Sequence, residues 1–178
     1  MNRKLEERCL VLAQLLKVIG PVYKNKNTDQ KNFIETILGA AIWYLPQSKE
    51  LWTGKISRSA LMSFSPKNTF APLLTKDHEF PRKIAARELL KIKWKSVQKP
   101  GMKILDLYNR KYGKFNYLTP LENRVLMKFQ RVDSFVSPEV SYKNAKINLL
   151  KITAKQFIKV LARDLKTIDA LLSKKGRA

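Results

Sequence analysis

The chain contains 178 residues, of which 36 are lysine or arginine and 14 are aspartate or glutamate, so its formal net charge is +22. Hydrophobic residues make up 44% of the chain, which is enough for a packed core and excludes a globally disordered protein. Because so large a positive excess repels itself unless a polyanion is near, nucleic acid is the leading predicted partner. The basic residues are spread along the whole chain rather than gathered beside an apolar anchor, which disfavours a membrane surface.

Cysteine usage and the N-terminal segment bear on the cellular compartment. Cys9 is the only cysteine, which excludes an intramolecular disulfide and a cysteine-based zinc site. Residues 1–7 carry acidic side chains early and contain no signal-peptide cleavage pattern. No apolar run approaches the roughly 20 residues of a membrane span. We therefore expect a cytoplasmic protein of a bacterial or phage-like host, with no structural zinc and no membrane association.

Apolar residues at helical spacing predict two core-forming helices at the start of the chain, over 3–19 and 29–45. Gly20-Pro21 is expected to end the first helix, and a polar cap within 27–29 is expected to begin the second. The elements that follow are shorter, and turn residues separate them. In chain order they are a helical turn over 48–52, a strand over 55–57, a helix over 58–62, a loop over 65–69 and a strand over 70–78.

The end of the strand predicted over 70–78 holds the only histidine of the chain, His78, directly after Asp77. A carboxylate beside an imidazole can bind a metal ion and keep a proton acceptor within a few ångströms of it. Three basic residues make the surroundings positive, which suits a polyanion: Lys76, Arg82 and Lys83. The pair is therefore a candidate catalytic site, although a lone histidine is more often structural or simply exposed.

Further helices are predicted over 81–94 and 102–112. The short aromatic run over 115–118 predicts a strand. A helix or turn is expected to start at 137–139, and an apolar face predicts a last helix over 153–174.

Residues Thr119, Pro120 and Glu122 form the clearest local signal in the chain. Threonine at the N-cap, proline at the first helical position and glutamate at the third make a capping box, which fixes the start of a helix that we expect to run to about 131. Glu122 is better explained by this cap than as a metal ligand. Asn123 then lies in the first turn, where a side chain is held rigidly enough to bind a metal ion.

Two stretches, KDHEFPRK at 76–83 and NYLTPLENRVL at 116–126, together resemble the ββα-metal finger of HNH nucleases. That family places a histidine, often after aspartate, at the end of a first strand, an asparagine near a second strand, and a histidine or asparagine early in the following helix. The second stretch is similar to the ending found in phage and intron homing endonucleases. The resemblance covers roughly 70–130.

The resemblance implies an α+β fold that is predominantly helical, with a ββα-metal nuclease core over 70–131. An N-terminal helical region over 1–69 and a C-terminal basic helical region over 132–178 would flank the core. The segment between the two motif halves is much longer than the usual loop of the family and is predicted to be a helical insertion over 81–113. This length puts the pairing of the two strands in doubt.

The resemblance also implies the role of each site residue. His78 would be the general base that takes a proton from the attacking water. Asp77 and Asn123 would bind one Mg²⁺ or Mn²⁺ ion, whose preference for hard oxygen ligands suits both side chains. Asn116 would keep the imidazole aimed, although asparagine also favours turns, and a turn residue after Gly113 is an equal alternative for it.

Double-stranded DNA is the expected partner of such an enzyme. Five basic residues are candidates for phosphate contacts: Lys76, Arg82, Lys83, Arg87 and Arg124. An ordinary solvated helix face is the alternative reading of the basic residues that follow His78. A palindromic target would imply a twofold homodimer, and nothing in the sequence decides between dimer and monomer.

The sequence thus predicts a metal-dependent DNA endonuclease, of the site-specific homing kind. A non-catalytic basic DNA- or RNA-binding protein is the first alternative, and it requires no metal ion. A restriction nuclease or a phage DNA-processing nuclease is the second alternative. Its chemistry would be the same as that of a homing endonuclease, and its biological role would differ. The sequence leaves the target site open, and also the choice between nicking and double-strand cleavage.

Overall fold

The computed structural model describes residues 3–65, 68, 72 and 74–173. Within these residues the fold is predominantly helical α+β with a four-stranded mixed sheet. Contacts divide the chain into two compact units, and each is discontinuous in sequence. The helical unit contains the chain up to Leu51 together with Phe80–Lys114, and the sheet unit contains Trp52–Glu79 together with the chain from Phe115 onward. Among the described helices, none combines the length and the apolar character needed to cross a membrane.

The helices and strands follow one another in this order: α1 (Arg3–Tyr23), α2 (Thr28–Trp43), β1 (Trp52–Ser57), α3 (Arg58–Met62), β2 (Thr75–His78), α4 (Arg82–Lys91), α5 (Pro100–Leu107), β3 (Phe115–Leu118), α6 (Pro120–Leu126), α7 (Pro138–Asn144), β4 (Leu149–Lys151), α8 (Ala154–Leu161) and α9 (Leu165–Leu172). A single helical turn at Lys49–Leu51 precedes β1, and a π-helical turn at Tyr108–Tyr112 extends α5.

The helical unit packs α1 against α5 and α2 against α4. Helix α2 begins as predicted, because the Asn27 side chain and Gln30 form a capping box. The prediction that α1 ends at Gly20-Pro21 is wrong, since the helix continues through Pro21 to Tyr23. A proline in the last turn removes one hydrogen bond without stopping the chain from completing that turn. The unit's core contains Leu12, Leu16, Leu38, Ile42, Leu89, Leu90, Trp94 and Ile104.

The sheet unit is built on strands in the order β2-β3-β1-β4. Strand β2 pairs with β3 in antiparallel fashion, β3 pairs with β1 in parallel fashion, and β1 pairs with β4 in antiparallel fashion. The pairing of β2 with β3 therefore forms, although the whole segment 79–114 separates them in sequence. In this register Asp77 lies opposite Asn116, and His78 lies opposite Phe115.

Helices cover both faces of the sheet. On one face, side chains of α3, α8 and α9 pack on the strands in a cluster that includes Ile56, Leu61, Leu150, Val160 and Ile168. On the other face, a smaller cluster joins β3 to α6 and α7 through Leu118, Leu126, Tyr142 and Ile147. Successive residues of a strand point to opposite faces, so Asp77 and His78 belong to different faces.

Several predicted elements are confirmed and others are wrong in extent. The helix at 58–62 and the strand at 115–118 are present with the predicted bounds. The predicted strand over 70–78 is described only from Thr75 to His78, and residues 70, 71 and 73 lie outside the described part of the chain, as do 66, 67 and 69 of the predicted loop. The helix that starts at Pro120 ends at Leu126 rather than at 131.

The C-terminal part of the chain differs most from its prediction. The helix predicted over 153–174 is two helices, α8 and α9, because Arg163 between them adopts a left-handed backbone conformation with φ of 56°. The side chain of Asp164 then caps the second helix by accepting a hydrogen bond from the Thr167 backbone N–H. Strand β4 was not predicted, since three residues are too short to show an alternating pattern.

Candidate functional site

A buried network of polar side chains surrounds Asp77 in the sheet unit. The hydroxyl of Tyr142, on α7, donates a hydrogen bond to Asp77 Oδ2. The same hydroxyl accepts a hydrogen bond of 2.8 Å from Asn116 Nδ2. Gln130 Nε2 lies 3.3 Å and 3.4 Å from the two carboxylate oxygens of Asp77. Residues from β2, β3, α7 and the segment after α6 therefore meet at one carboxylate.

Asn116 is the centre of this network on β3 and is fully buried. Its Oδ1 accepts a hydrogen bond from the Thr53 hydroxyl, and its Nδ2 also lies 3.3 Å from Glu79 Oε1. Lys55 forms an ion pair with the same Glu79 oxygen at 3.2 Å. Asn116 is thus a strand residue and not a turn residue. Because it lies opposite Asp77, its amide belongs to the face away from His78.

The environment of Asp77 disfavours a negative charge. The residue is 5% exposed, and burial raises its pKa from 3.8 to about 6, while the hydrogen bonds from Tyr142 and Gln130 oppose the rise and the nearby Glu79 carboxylate adds to it. Among the described residues, no lysine or arginine forms an ion pair with this carboxylate. A bound cation would supply the positive charge that the site lacks.

His78 lies at the end of β2 on the aromatic side of the sheet. Its ring centroid is 6.4 Å from that of Phe115, and the residue is 9% exposed. Burial lowers the pKa of the imidazole to about 4, and the positive charge of Lys76 contributes to the fall. Lys76 itself places Nζ 5.0 Å from the centroid of the Phe115 ring. His78 is therefore neutral at pH 7 and able to accept a proton.

Asn123 is positioned by the predicted capping box, which is confirmed. The Thr119 side chain accepts from the Glu122 backbone N–H at 3.1 Å, and Glu122 Oε2 accepts from the Thr119 N–H at 3.0 Å. Glu122 also accepts a hydrogen bond from the Ser57 hydroxyl. It therefore connects α6 to β1 in addition to capping α6 as predicted. Asn123 is half-buried, and it precedes the buried Leu126 by three residues on a helix that packs against β2.

The basic residues predicted to bind DNA fall into two groups. Lys76 and Arg124 are exposed residues of the sheet unit. The other three belong to α4 in the helical unit, where Arg82 is exposed and Lys83 donates a 2.8 Å hydrogen bond to Asn32 Oδ1. Arg87 donates from Nε and Nη2 to the carboxylate of Glu35 at 3.0 Å and 3.1 Å. Its guanidinium therefore has a structural partner that the sequence did not indicate.

The ligand chemistry fits a hard divalent cation, although the donor set is small. No three His, Cys, Asp or Glu side chains group closely enough within the described residues to hold a metal ion. Asp77 offers a carboxylate without a cationic partner among those residues, and Asn123 offers an amide oxygen. Oxygen donors of this kind suit Mg²⁺ or Mn²⁺, which keep several water ligands.

Sequence reasoning missed most partners of Asp77. Tyr142 and Gln130, the hydrogen-bond donors to Asp77, lie far from it along the chain. No role was predicted for Thr53 or Lys55, which contact Asn116 and Glu79. Contacts between distant segments leave no spacing pattern in a single sequence. Glu79 follows His78 directly, so its carboxylate was a visible local signal, although no role was predicted for it.

Comparison of the chain with protein-family models, with curated proteins and with solved structures finds no significant match.

The raised pKa of Asp77 predicts a specific pH dependence of stability. A carboxyl group whose folded-state pKa exceeds its unfolded value contributes stability that is fully present below the unfolded value of 3.8 and is lost as the pH rises through about 6. Relative to Asp77→Asn, the wild-type protein should therefore gain about 2 kcal/mol of unfolding free energy between pH 7 and pH 4. Urea unfolding of both proteins across this range measures the difference, and a constant difference would contradict the assignment.

Proposed function

We propose that the chain is a metal-dependent DNA endonuclease of the HNH type, hydrolysing phosphodiester bonds at a specific site. The observation that carries the proposal is the order of elements around Asp77. Strand β2 pairs with β3 in antiparallel fashion, and the capped helix α6 follows β3 at once and packs against β2. This order of strand, strand and helix supports the proposal, because it is the order that the resemblance implies, although residues 79–114 intervene between the strands.

His78 is the proposed general base. Phosphodiester hydrolysis needs a water molecule that loses a proton as it attacks phosphorus. The imidazole is neutral at pH 7, and burial lowers its pKa to about 4, so it would accept that proton as a weaker base than an ordinary imidazole. His78 is the last residue of β2, where the backbone leaves the sheet, and its side chain belongs to the face opposite that of Asp77.

Asp77 and Asn123 are the proposed ligands of one Mg²⁺ or Mn²⁺ ion. Such an ion, when bound, neutralises charge on the scissile phosphate and stabilises the leaving 3′-oxygen. Tyr142 and Gln130 orient the Asp77 carboxylate by their hydrogen bonds. Asn116 donates a hydrogen bond to the Tyr142 hydroxyl. Through Tyr142 it positions the Asp77 carboxylate rather than the imidazole.

Double-stranded DNA is the proposed substrate because the net charge of +22 favours a long polyanion. Lys76 flanks the catalytic pair on β2, and Arg124 follows Asn123 on α6, so both would contact phosphates near the bond that is cut. Arg82, Lys83 and Arg87, on α4 of the helical unit, are the other proposed phosphate contacts. The ion pair with Glu35 makes Arg87 the weakest of these candidates.

A second candidate function is non-catalytic binding of nucleic acid. The observation that favours it is the burial of both central residues, since Asp77 is 5% and His78 9% exposed. Both carboxylate oxygens of Asp77 also have hydrogen-bond donors already. A buried polar network of this kind can have a purely structural role, which is to specify one arrangement of the sheet.

Cleavage of mixed phage and plasmid DNA, with Mg²⁺, with Mn²⁺ and with EDTA, separates the two candidates. The nuclease predicts cutting with either metal ion and none with EDTA. The binding protein predicts no cutting on any DNA and an affinity that falls steeply with salt, because phosphate contacts release counterions. Randomised libraries of duplex DNA include rare target sites that phage and plasmid DNA lack. Absence of cutting on these libraries as well would reject the nuclease.

A further inference from the structure

The helical unit contains a cavity of about 480 Å³ beside the last turn of α1, within the range of roughly 300–1,000 Å³ that is usual for ligand sites. The cavity lies between this turn and the segment that follows α4. The apolar part of its lining includes Leu16, Leu90, Ile92 and Trp94, of which Ile92 is the most exposed. Nothing in the proposed cleavage chemistry uses this cavity.

Five lysines line the same cavity, and no acidic residue does: Lys17, Lys24, Lys91, Lys93 and Lys95. Four of them are exposed and Lys17 is half-buried. None of the ion pairs formed within the described residues involves any of these lysines. An occupant of this site must therefore combine an apolar body with more than one negative charge.

The Gly20-Pro21 pair opens the cavity. A Cβ atom added at Gly20 would meet no atom within 4 Å, so the missing side chain leaves open space on the helix. Pro21 has no backbone N–H, which deprives the Lys17 carbonyl of its helical donor and leaves it able to accept a hydrogen bond from elsewhere. The pair that was expected to end the helix instead lines the cavity, together with Lys17.

We propose that this cavity binds one nucleotide of a single-stranded nucleic acid, with its base against the apolar walls and its flanking phosphates on the lysines. An unpaired base presents an apolar face, an N–H donor that suits the Lys17 carbonyl (the ring N3–H in thymine), and phosphates on either side. A duplex presents phosphates but hides its bases, so it would use the lysines and leave the cavity empty. Binding of a nucleotide in this cavity does not depend on the proposed cleavage chemistry.

Fluorescence anisotropy with a short labelled oligothymidine in EDTA tests the proposal without any cleavage. Gly20→Leu should place a side chain in the cavity, from a Cβ position that meets no atom within 4 Å, and weaken binding about tenfold through the lost contact with one base. Lys17→Ala and Lys93→Ala should each reduce the slope of log affinity against log salt by about 0.7. Lys103→Ala, an exposed lysine of the same unit outside the cavity, should leave both quantities unchanged.

A second probe needs no variant of the protein. An oligonucleotide of the same length in which abasic sugars replace the thymidines should bind the wild-type protein about as weakly as oligothymidine binds Gly20→Leu. Equal affinity for the two oligonucleotides would overturn the proposal. Wild-type affinity in a correctly folded Gly20→Leu protein would also overturn it. Tighter binding to phosphatidylglycerol vesicles, lost in Gly20→Leu, would overturn it as well and would identify an anionic lipid as the occupant.

Discussion

His78→Ala should lower the rate of Mg²⁺-dependent DNA cleavage by roughly 10²–10⁴-fold, which is the usual contribution of a general base. The variant removes the proton acceptor and leaves Asp77, Asn123 and the basic surface in place. Its affinity for DNA should therefore match that of the wild-type protein. Single-turnover cleavage with saturating protein measures the chemical step, and anisotropy in EDTA measures the binding.

A second variant at this position guards against loss of structure. His78 is buried, so alanine leaves a cavity that destabilises the protein, whereas His78→Gln keeps most of the volume and the ability to form a hydrogen bond. Glutamine cannot act as a base, so the rate should fall by a similar factor in both variants. A rate in His78→Gln within a few fold of the wild-type rate would exclude His78 as the base.

Arg87→Ala should lower the free energy of unfolding by about 3 kcal/mol or more. Glu35 is 1% exposed, and it accepts hydrogen bonds from Arg87 at 3.0 Å and 3.1 Å and from the Tyr23 hydroxyl at 2.6 Å. Removing the guanidinium leaves a buried carboxylate without its counter-charge, and loss of one partner from such a pair usually costs roughly 3–5 kcal/mol. Urea unfolding monitored by circular dichroism measures the loss.

The double variant distinguishes this mechanism from a general loss of packing. Glu35→Gln removes the charge that Arg87 neutralises, so Glu35→Gln combined with Arg87→Ala should be more stable than Arg87→Ala alone. Lys83→Ala is the matched control, because its partner Asn32 is exposed, and its effect should stay within about 0.5 kcal/mol. An Arg87→Ala protein as stable as Lys83→Ala would contradict the structural role and favour the role of Arg87 as a DNA contact.

The parts of the fold that local patterns encode were predictable from the sequence. The capping box around Thr119 placed the start of α6 correctly, and the aromatic run at 115–118 placed β3. Both signals depend on residues within a few positions of one another. The break at Arg163 also had a local signal, since Asp164 is a good helix cap, but the continuous apolar face of the flanking segments outweighed it.

The surroundings of Asp77 were not predictable, because long-range contacts create them. The carboxylate alone suggested a metal ligand, whereas the structure adds Tyr142 and Gln130 as its hydrogen-bond donors and the buried Asn116 as a donor to Tyr142. Burial likewise determines that His78 is neutral and that Asp77 loses its proton only near pH 6, and a single sequence does not reveal the depth of a side chain. The same limit explains why Arg87 was read as a DNA contact.

Mg²⁺-dependent cleavage by Asn123→Ala and by Leu121→Ala tests the central claim most directly. Both residues lie in the first turn of α6, but Leu121 is largely exposed, whereas Asn123 is half-buried on a helix that packs against β2. We predict that Asn123→Ala loses metal-dependent cutting while it still binds DNA, and that Leu121→Ala cuts at the wild-type rate. Equal cutting by the two variants, or cutting that EDTA does not abolish, would contradict a metal-dependent nuclease site between β2 and α6.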